Sequence, residues 1–103
     1  MERNPEIAAT ILRQMGGMGK ICAMTGAKNF IDYGNGVSFR FPNNVKGRPN
    51  TFKVTLDPDD TYSVEFGRCR GTTYKILKTL NGIYWDMLKS LFEQESGLYL
   101  SFR

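Results

Sequence analysis

The sequence predicts an α+β fold in two layers: a mostly antiparallel sheet of about five strands, with an N-terminal and a C-terminal helix on one face. Three observations predict it. From Gly36 to Leu80, apolar and polar residues alternate in short runs, as in strands with one buried and one wet face. Near both ends, apolar residues recur at spacings of three and four, the helical period. The tight turn Asp57-Pro58-Asp59-Asp60 joins Thr51–Leu56 to Thr61–Phe66 as a hairpin, which makes the sheet antiparallel there. With 103 residues, the expectation is a single α+β domain over 1–103.

The first helix spans about residues 5–15. Asn4 caps it, Pro5 takes the first helical position and Glu6 meets the positive end of the dipole. Ile7, Ala8, Ile11, Leu12 and Met15 form its apolar stripe, and Gly16-Gly17 end it. Lys20–Met24 reads as a short strand, with Ile21 and Ala23 against Cys22 and Met24. Thr25–Asn35 reads as a loop whose Phe30 and Ile31 tuck against the core edge.

Gly36–Phe41 is a strand with Val37, Phe39 and Phe41 inward and Ser38 and Arg40 outward. Pro42–Pro49 is a polar connection. Thr51–Leu56 turns Phe52, Val54 and Leu56 inward, and Thr61–Phe66 does the same with Tyr62, Val64 and Phe66. Between them Asp57-Pro58-Asp59-Asp60 is a tight turn. Gly67-Arg68-Cys69-Arg70-Gly71 reads as another turn, Thr72–Leu80 as a strand of imperfect alternation, and Asn81-Gly82 as its break. The second helix covers about 83–95, with Tyr84, Met87, Leu88, Leu91 and Phe92 on one face, Trp85 beside them and Gly97 at its end. Leu98, Leu100 and Phe102 suggest a last short strand.

Composition narrows the function. The chain is 41% hydrophobic and 13% aromatic, which argues against disorder. It has no run of about 18 apolar residues and no apolar leader at its start, so the expectation is a cytoplasmic protein without a membrane partner. The net charge of +4 suits nucleic acid or an acidic protein surface. Cys22 and Cys69 lie far apart and the chain has no histidine, so a zinc site is not expected. The cysteines read as two free thiols, with a disulfide between neighbouring strands as the alternative.

No motif for catalysis or a cofactor emerges. Gly16-Gly17-Met18-Gly19-Lys20 imitates a phosphate loop, but that pattern needs Gly where Gln14 stands and Ser or Thr where Ile21 stands. Asp57, Asp59 and Asp60 lack the Gly and Glu of a calcium loop and read as a solvated hairpin tip. A Cys or Ser nucleophile would lack a histidine base, and the ten scattered acids give no pattern for paired-carboxylate hydrolysis.

The basic residues offer more. Residues 40–78 hold eight basic side chains against four acids. Arg40 and Lys53 fall on the wet face, Lys46 and Arg48 in the loop before Thr51, Arg68 and Arg70 in a glycine-bounded turn, and Lys75 on the following strand. Arginine forks bind phosphate or carboxylate in bidentate fashion, and turns present them well. These seven residues are the candidate binding set. The competing reading is ordinary solvated charge, with Glu65 pairing across strands to Lys53. The phenylalanines share the core phase, which leaves Tyr33 and Tyr99 as candidates for exposed contacts.

Several stretches resemble a family of small proteins carried by phages, prophages and other bacterial mobile elements. They are Met24-Thr25-Gly26-Ala27-Lys28-Asn29-Phe30, Gly36-Val37-Ser38-Phe39-Arg40-Phe41-Pro42, Val64-Glu65-Phe66-Gly67-Arg68 and Arg70-Gly71. Tyr84 with Asp86-Met87-Leu88, Leu91-Phe92 and Gly97-Leu98-Tyr99 add to them. The resemblance implies no catalytic residue. It implies accessory genes that handle DNA or oppose host defence, and by analogy an inhibitor of a CRISPR–Cas nuclease. The expected function is thus a non-enzymatic binding protein that contacts nucleic acid or a host nucleoprotein. The alternative is an assembly protein that self-associates through its sheet as a homo-oligomer.

Overall fold

A computed structural model describes residues 5–43 and 48–98 of the chain. Helices α1 (Pro5–Gln14) and α2 (Met18–Thr25) come first. Five strands follow: β1 (Lys28–Asp32), β2 (Gly36–Arg40), β3 (Thr51–Leu56), β4 (Tyr62–Arg70) and β5 (Thr73–Ile83). A 3₁₀ turn (Trp85–Met87) leads into α3 (Leu88–Ser96). Each strand pairs antiparallel with the next in the order β1-β2-β3-β4-β5, an open meander. The α+β class predicted from sequence is therefore the one observed.

The core lies on one side of this sheet. Val37, Phe39, Phe41, Phe52, Val54, Val64 and Phe66 are buried against Ala8, Ile11, Leu12 and Met15 of α1 and its exit, Ile21 of α2, and Leu88 and Phe92 of α3. The Phe92 ring sits 5.1–5.8 Å, centroid to centroid, from Phe39, Phe41 and Phe52. Tilted and edge-to-face pairs of this kind add about 0.5–1.5 kcal/mol each beyond area burial. Backbone approach is close as well: a Cβ on Gly36 would lie 2.1 Å from the Val54 carbonyl oxygen, so only glycine lets β2 and β3 meet there.

Four expectations are corrected. Lys20–Met24 belongs to helix α2, in which Ile21 and Thr25 are the buried pair, four residues apart. A run this short fits both periods, and Lys, Ala and Met favour the helix. The supposed loop holds edge strand β1, where Phe30 packs on the core, 5.1 Å from Phe39, but Ile31 is exposed. The supposed turn at 67–71 is mostly strand, because Gly67–Arg70 pair with Thr73–Ile76 of β5, and on the other edge the Asn50 side chain continues the ladder beyond β3. Its Oδ1 accepts the Cys69 N–H at 2.8 Å, and its Nδ2 donates to the Cys69 carbonyl at 2.9 Å. Finally, β5 runs through Asn81-Gly82 to Ile83, with Gly82 at φ 66°, and the last helix proper begins only at Leu88. Tyr84 and Met87, expected on its apolar face, are exposed, as is Trp85. The suggested strand through Leu100 and Phe102 lies outside the described residues.

Among the described residues no helix is long and apolar enough to cross a membrane. Cys22 on α2 and Cys69 on β4 are both free thiols.

Candidate functional site

The three helices cover one sheet face; the other carries a cleft of about 690 Å³ to which all five strands contribute. Register builds it. Ile31 stands opposite Ser38, Ser38 opposite Lys53, and Lys53 opposite Glu65. Beside that row, Arg40 stands opposite Thr51 and Thr51 opposite Gly67. At the end of the β4–β5 hairpin, Cys69 is paired with Tyr74. Directly opposed residues share a face, so these side chains converge on the uncovered side.

Two tyrosines shape the cleft. The Tyr33 hydroxyl shares a hydrogen bond with Ser38 Oγ at 2.9 Å, and Lys53 Nζ lies 4.6 Å from the centroid of the Tyr33 ring. Tyr74 reaches back from β5 across Gly67. A Cβ on Gly67 would lie 2.2–2.6 Å from the Tyr74 ring and hydroxyl, so this glycine gives the ring its place. The Tyr74 hydroxyl donates to Glu65 Oε2 at 2.9 Å. Partial burial pushes the Tyr74 phenol well above its ordinary value, and the Glu65 hydrogen bond and charge push it further. Both rings keep substantial exposure, 39% for Tyr33 and 44% for Tyr74.

The structure divides the seven basic candidates. Arg40 and Lys53 line the cleft. Arg68 does not: its Nη1 donates to the carbonyls of Asn43 at 3.2 Å and Arg48 at 2.7 Å, tying down the β2–β3 connection. Arg48 in turn donates to the Glu95 carbonyl at 3.4 Å, at the C-terminal end of α3. Lys75 stands opposite Arg68 in register, so it shares that helix-covered side, and alternation along β4 puts Arg70 there too. Lys46 lies outside the described residues, as does Tyr99. Lys78 is also on the helix side, ion-paired to Glu95 at 3.1 Å.

Two aspartates of the β3–β4 turn, Asp57 and Asp59, are occupied with the turn itself. Asp59 Oδ1 accepts the Thr61 hydroxyl at 2.6 Å and the Thr61 N–H at 3.1 Å, which holds its carboxyl below the usual value. Asp57 Oδ2 accepts the Ser63 hydroxyl at 2.5 Å.

Sequence reasoning found Tyr33, Arg40 and Lys53 and missed Glu65, Cys69 and Tyr74 as cleft residues. Tyr74 was hidden by the irregular β4–β5 register, which shifts between Phe66 and Gly67. The available signal was the Gly67 gap in an otherwise bulky strand, which marks a close approach by something else. Compared with protein-family models, curated proteins and solved structures, the chain matches none.

Proposed function

We propose that this protein is a non-enzymatic binding module that takes a short stretch of single-stranded nucleic acid across its uncovered sheet face. The observation that carries the reading is the cleft itself: two exposed tyrosine rings together with Arg40 and Lys53 on one side of the sheet. Base–aromatic stacking contributes about 1–3 kcal/mol per base, and cations beside it hold the backbone phosphates. Stacking needs unpaired bases, which favours single strands over duplex. The cleft volume lies in the ordinary range for ligand sites, roughly 300–1,000 Å³.

The mobile-element resemblance supplies a setting. There the strand would belong to a host nucleoprotein in the bacterial cytoplasm, such as a CRISPR–Cas nuclease, and occupying it would block the host machinery.

Fluorescence anisotropy with labelled single- and double-stranded DNA and RNA, from about 50 to 200 mM salt, tests the reading. Single strands bind and duplex binds weakly. With two cleft cations, the salt slope for single strands is about −1.4. Tyr33→Ala and Tyr74→Ala each weaken binding by about 5- to 150-fold. No binding to any single strand at the lowest salt overturns the proposal.

One observation favours the alternative of self-association. Strand β5 is an edge strand of 11 residues, exposed along most of its length. Such an edge offers unpaired backbone groups to a second copy. Sedimentation in high salt separates the readings, because an edge-paired dimer survives salt that weakens phosphate contacts.

A further inference from the structure

Resting on the nucleic-acid reading just given, we infer that the cleft selects guanine, with the Glu65 carboxylate as the group that reads the base. A carboxylate beside a polyanion costs binding unless it has a task there. Glu65 is placed as though it has one. Its cross-strand opposite is Lys53, the natural partner for an ion pair, yet Lys53 lies over the Tyr33 ring and the two form no salt bridge. Instead the Tyr74 hydroxyl donates to Oε2, which anchors one oxygen of the carboxylate in the cleft. Among the described residues Oε1 accepts no hydrogen bond. Ionised, the group can only accept, and it has lone pairs to spare on both oxygens.

The ligand for such a group must bring donors, and two adjacent ones use both oxygens. Guanine has them: N1–H and the N2 amino group lie side by side on its Watson–Crick edge. Adenine and cytosine present one amino group next to a bare ring nitrogen, whose lone pair would face the second oxygen. Uracil and thymine present a single N–H between two carbonyls. The Tyr74 ring, fastened to the same carboxylate, supplies a stacking surface next to the reading group. Arg40 and Lys53 remain for the flanking phosphates.

The test uses the full chain and short oligonucleotides differing only at the centre: UUGUU, UUAUU, UUCUU and UUUUU, with deoxy counterparts. The guanine oligomer binds more tightly than the others by about 5- to 150-fold, the range of a good bidentate base contact. Inosine at the centre, which lacks the N2 amino group, loses much of that advantage. Glu65→Gln abolishes the preference while retaining or raising affinity for the uridine oligomer, since a negative charge has left the cleft. Tyr74→Phe keeps the stacking ring but frees the carboxylate, and it narrows the preference. A thermal melt establishes that each variant is folded. The ribo and deoxy arms decide which sugar the cleft accepts.

Equal binding of all four oligomers, still dependent on Tyr33 and Tyr74, overturns guanine selection and leaves the nucleic-acid reading standing. A guanine preference that survives Glu65→Gln also overturns it, because another group must then read the base. Binding to none of the oligomers ends both readings at once.

Discussion

Lys53 and Glu65 stand directly opposite each other on β3 and β4, carry opposite charges, and do not pair. Each turns to a tyrosine instead: the ammonium lies over Tyr33, and the carboxylate accepts from Tyr74. The row Tyr33–Lys53–Glu65–Tyr74 therefore leaves a cation and an anion available within one cleft, where a simple salt bridge would have closed it. A double-mutant cycle measures this. Lys53→Met, Glu65→Gln and the double variant, compared by urea unfolding, give a coupling below the roughly 0.2–1 kcal/mol of a formed cross-strand pair. Coupling at or above the top of that range would mean the two charges do meet in solution.

The Tyr74 phenol titrates late. Followed by tyrosinate absorbance on raising pH, Tyr74 stays protonated well beyond the ordinary phenol range. Its folded-state value is raised, so its contribution to stability is complete below the unfolded value and is lost as pH climbs through the folded one. Tyr74→Phe removes the late step, and Glu65→Gln brings it earlier. Gly67→Ala pushes the ring from its seat, so the phenol returns toward its ordinary value.

At the β3–β4 turn the sign is opposite. Asp59 is held below its ordinary value by two hydrogen bonds from Thr61. Whatever it contributes is present above the unfolded value and disappears as pH falls through the folded one. An NMR titration of the side-chain carboxyl carbons places Asp59 below the usual aspartate midpoint. Thr61→Val, which removes the hydroxyl, moves it back up.

Arg68 and Arg40 part company under mutation. Arg68→Ala removes a cation that holds the Asn43 and Arg48 carbonyls. The loss is about 1.5–3 kcal/mol of stability, toward the lower end because the residue is half-exposed, with oligonucleotide affinity little changed. Arg40→Ala does the reverse, weakening binding while leaving the urea midpoint nearly unmoved. If Arg68→Ala abolishes binding in a fully folded protein, the helix-covered side belongs to the interface after all.

Phe92 anchors α3 to the sheet. Replacing it by Ala empties space among Phe39, Phe41 and Phe52 and costs about 3–5 kcal/mol by chemical denaturation. Phe92→Leu keeps most of the volume and costs well under half of that.

What the sequence made legible followed from strict periods. Strand β3 and the first part of β4 alternate cleanly, because one face is buried and the other only partly so; β2 alternates in sequence although Ser38, bonded to Tyr33 on the cleft side, is buried as well; and α1 keeps a full helical stripe. The failures share a cause, which is that local pattern was overruled by partners distant in sequence. Asn50 lends its amide to extend β4, and nothing in the run Gly67–Gly71 announces it. Strand β5 is exposed on both faces over much of its length, so it has no alternation to read. The basic residues were counted correctly but could not be divided between faces, because Arg68 and Cys69 take sides only once β4 is known to continue. Glu65 was legible as a charge opposite Lys53; that it would bind a tyrosine instead depended on the Gly67 gap and the β5 register.

The meander has a kinetic consequence. Every strand pairs with its immediate successor, so no strand must wait for a remote partner, and each closure bridges only a short stretch of chain. Local pairing of this kind favours rapid formation of the sheet, and the distant contacts come with docking of the terminal helices. Residues 29–74 supply every wall of the cleft, whereas Leu88 and Phe92, which seal the opposite side, come last. During synthesis the recognition surface, with α1 and α2 already made, is thus complete in sequence before the last part of its hydrophobic backing has left the ribosome, and docking of α3 is the step that makes it permanent.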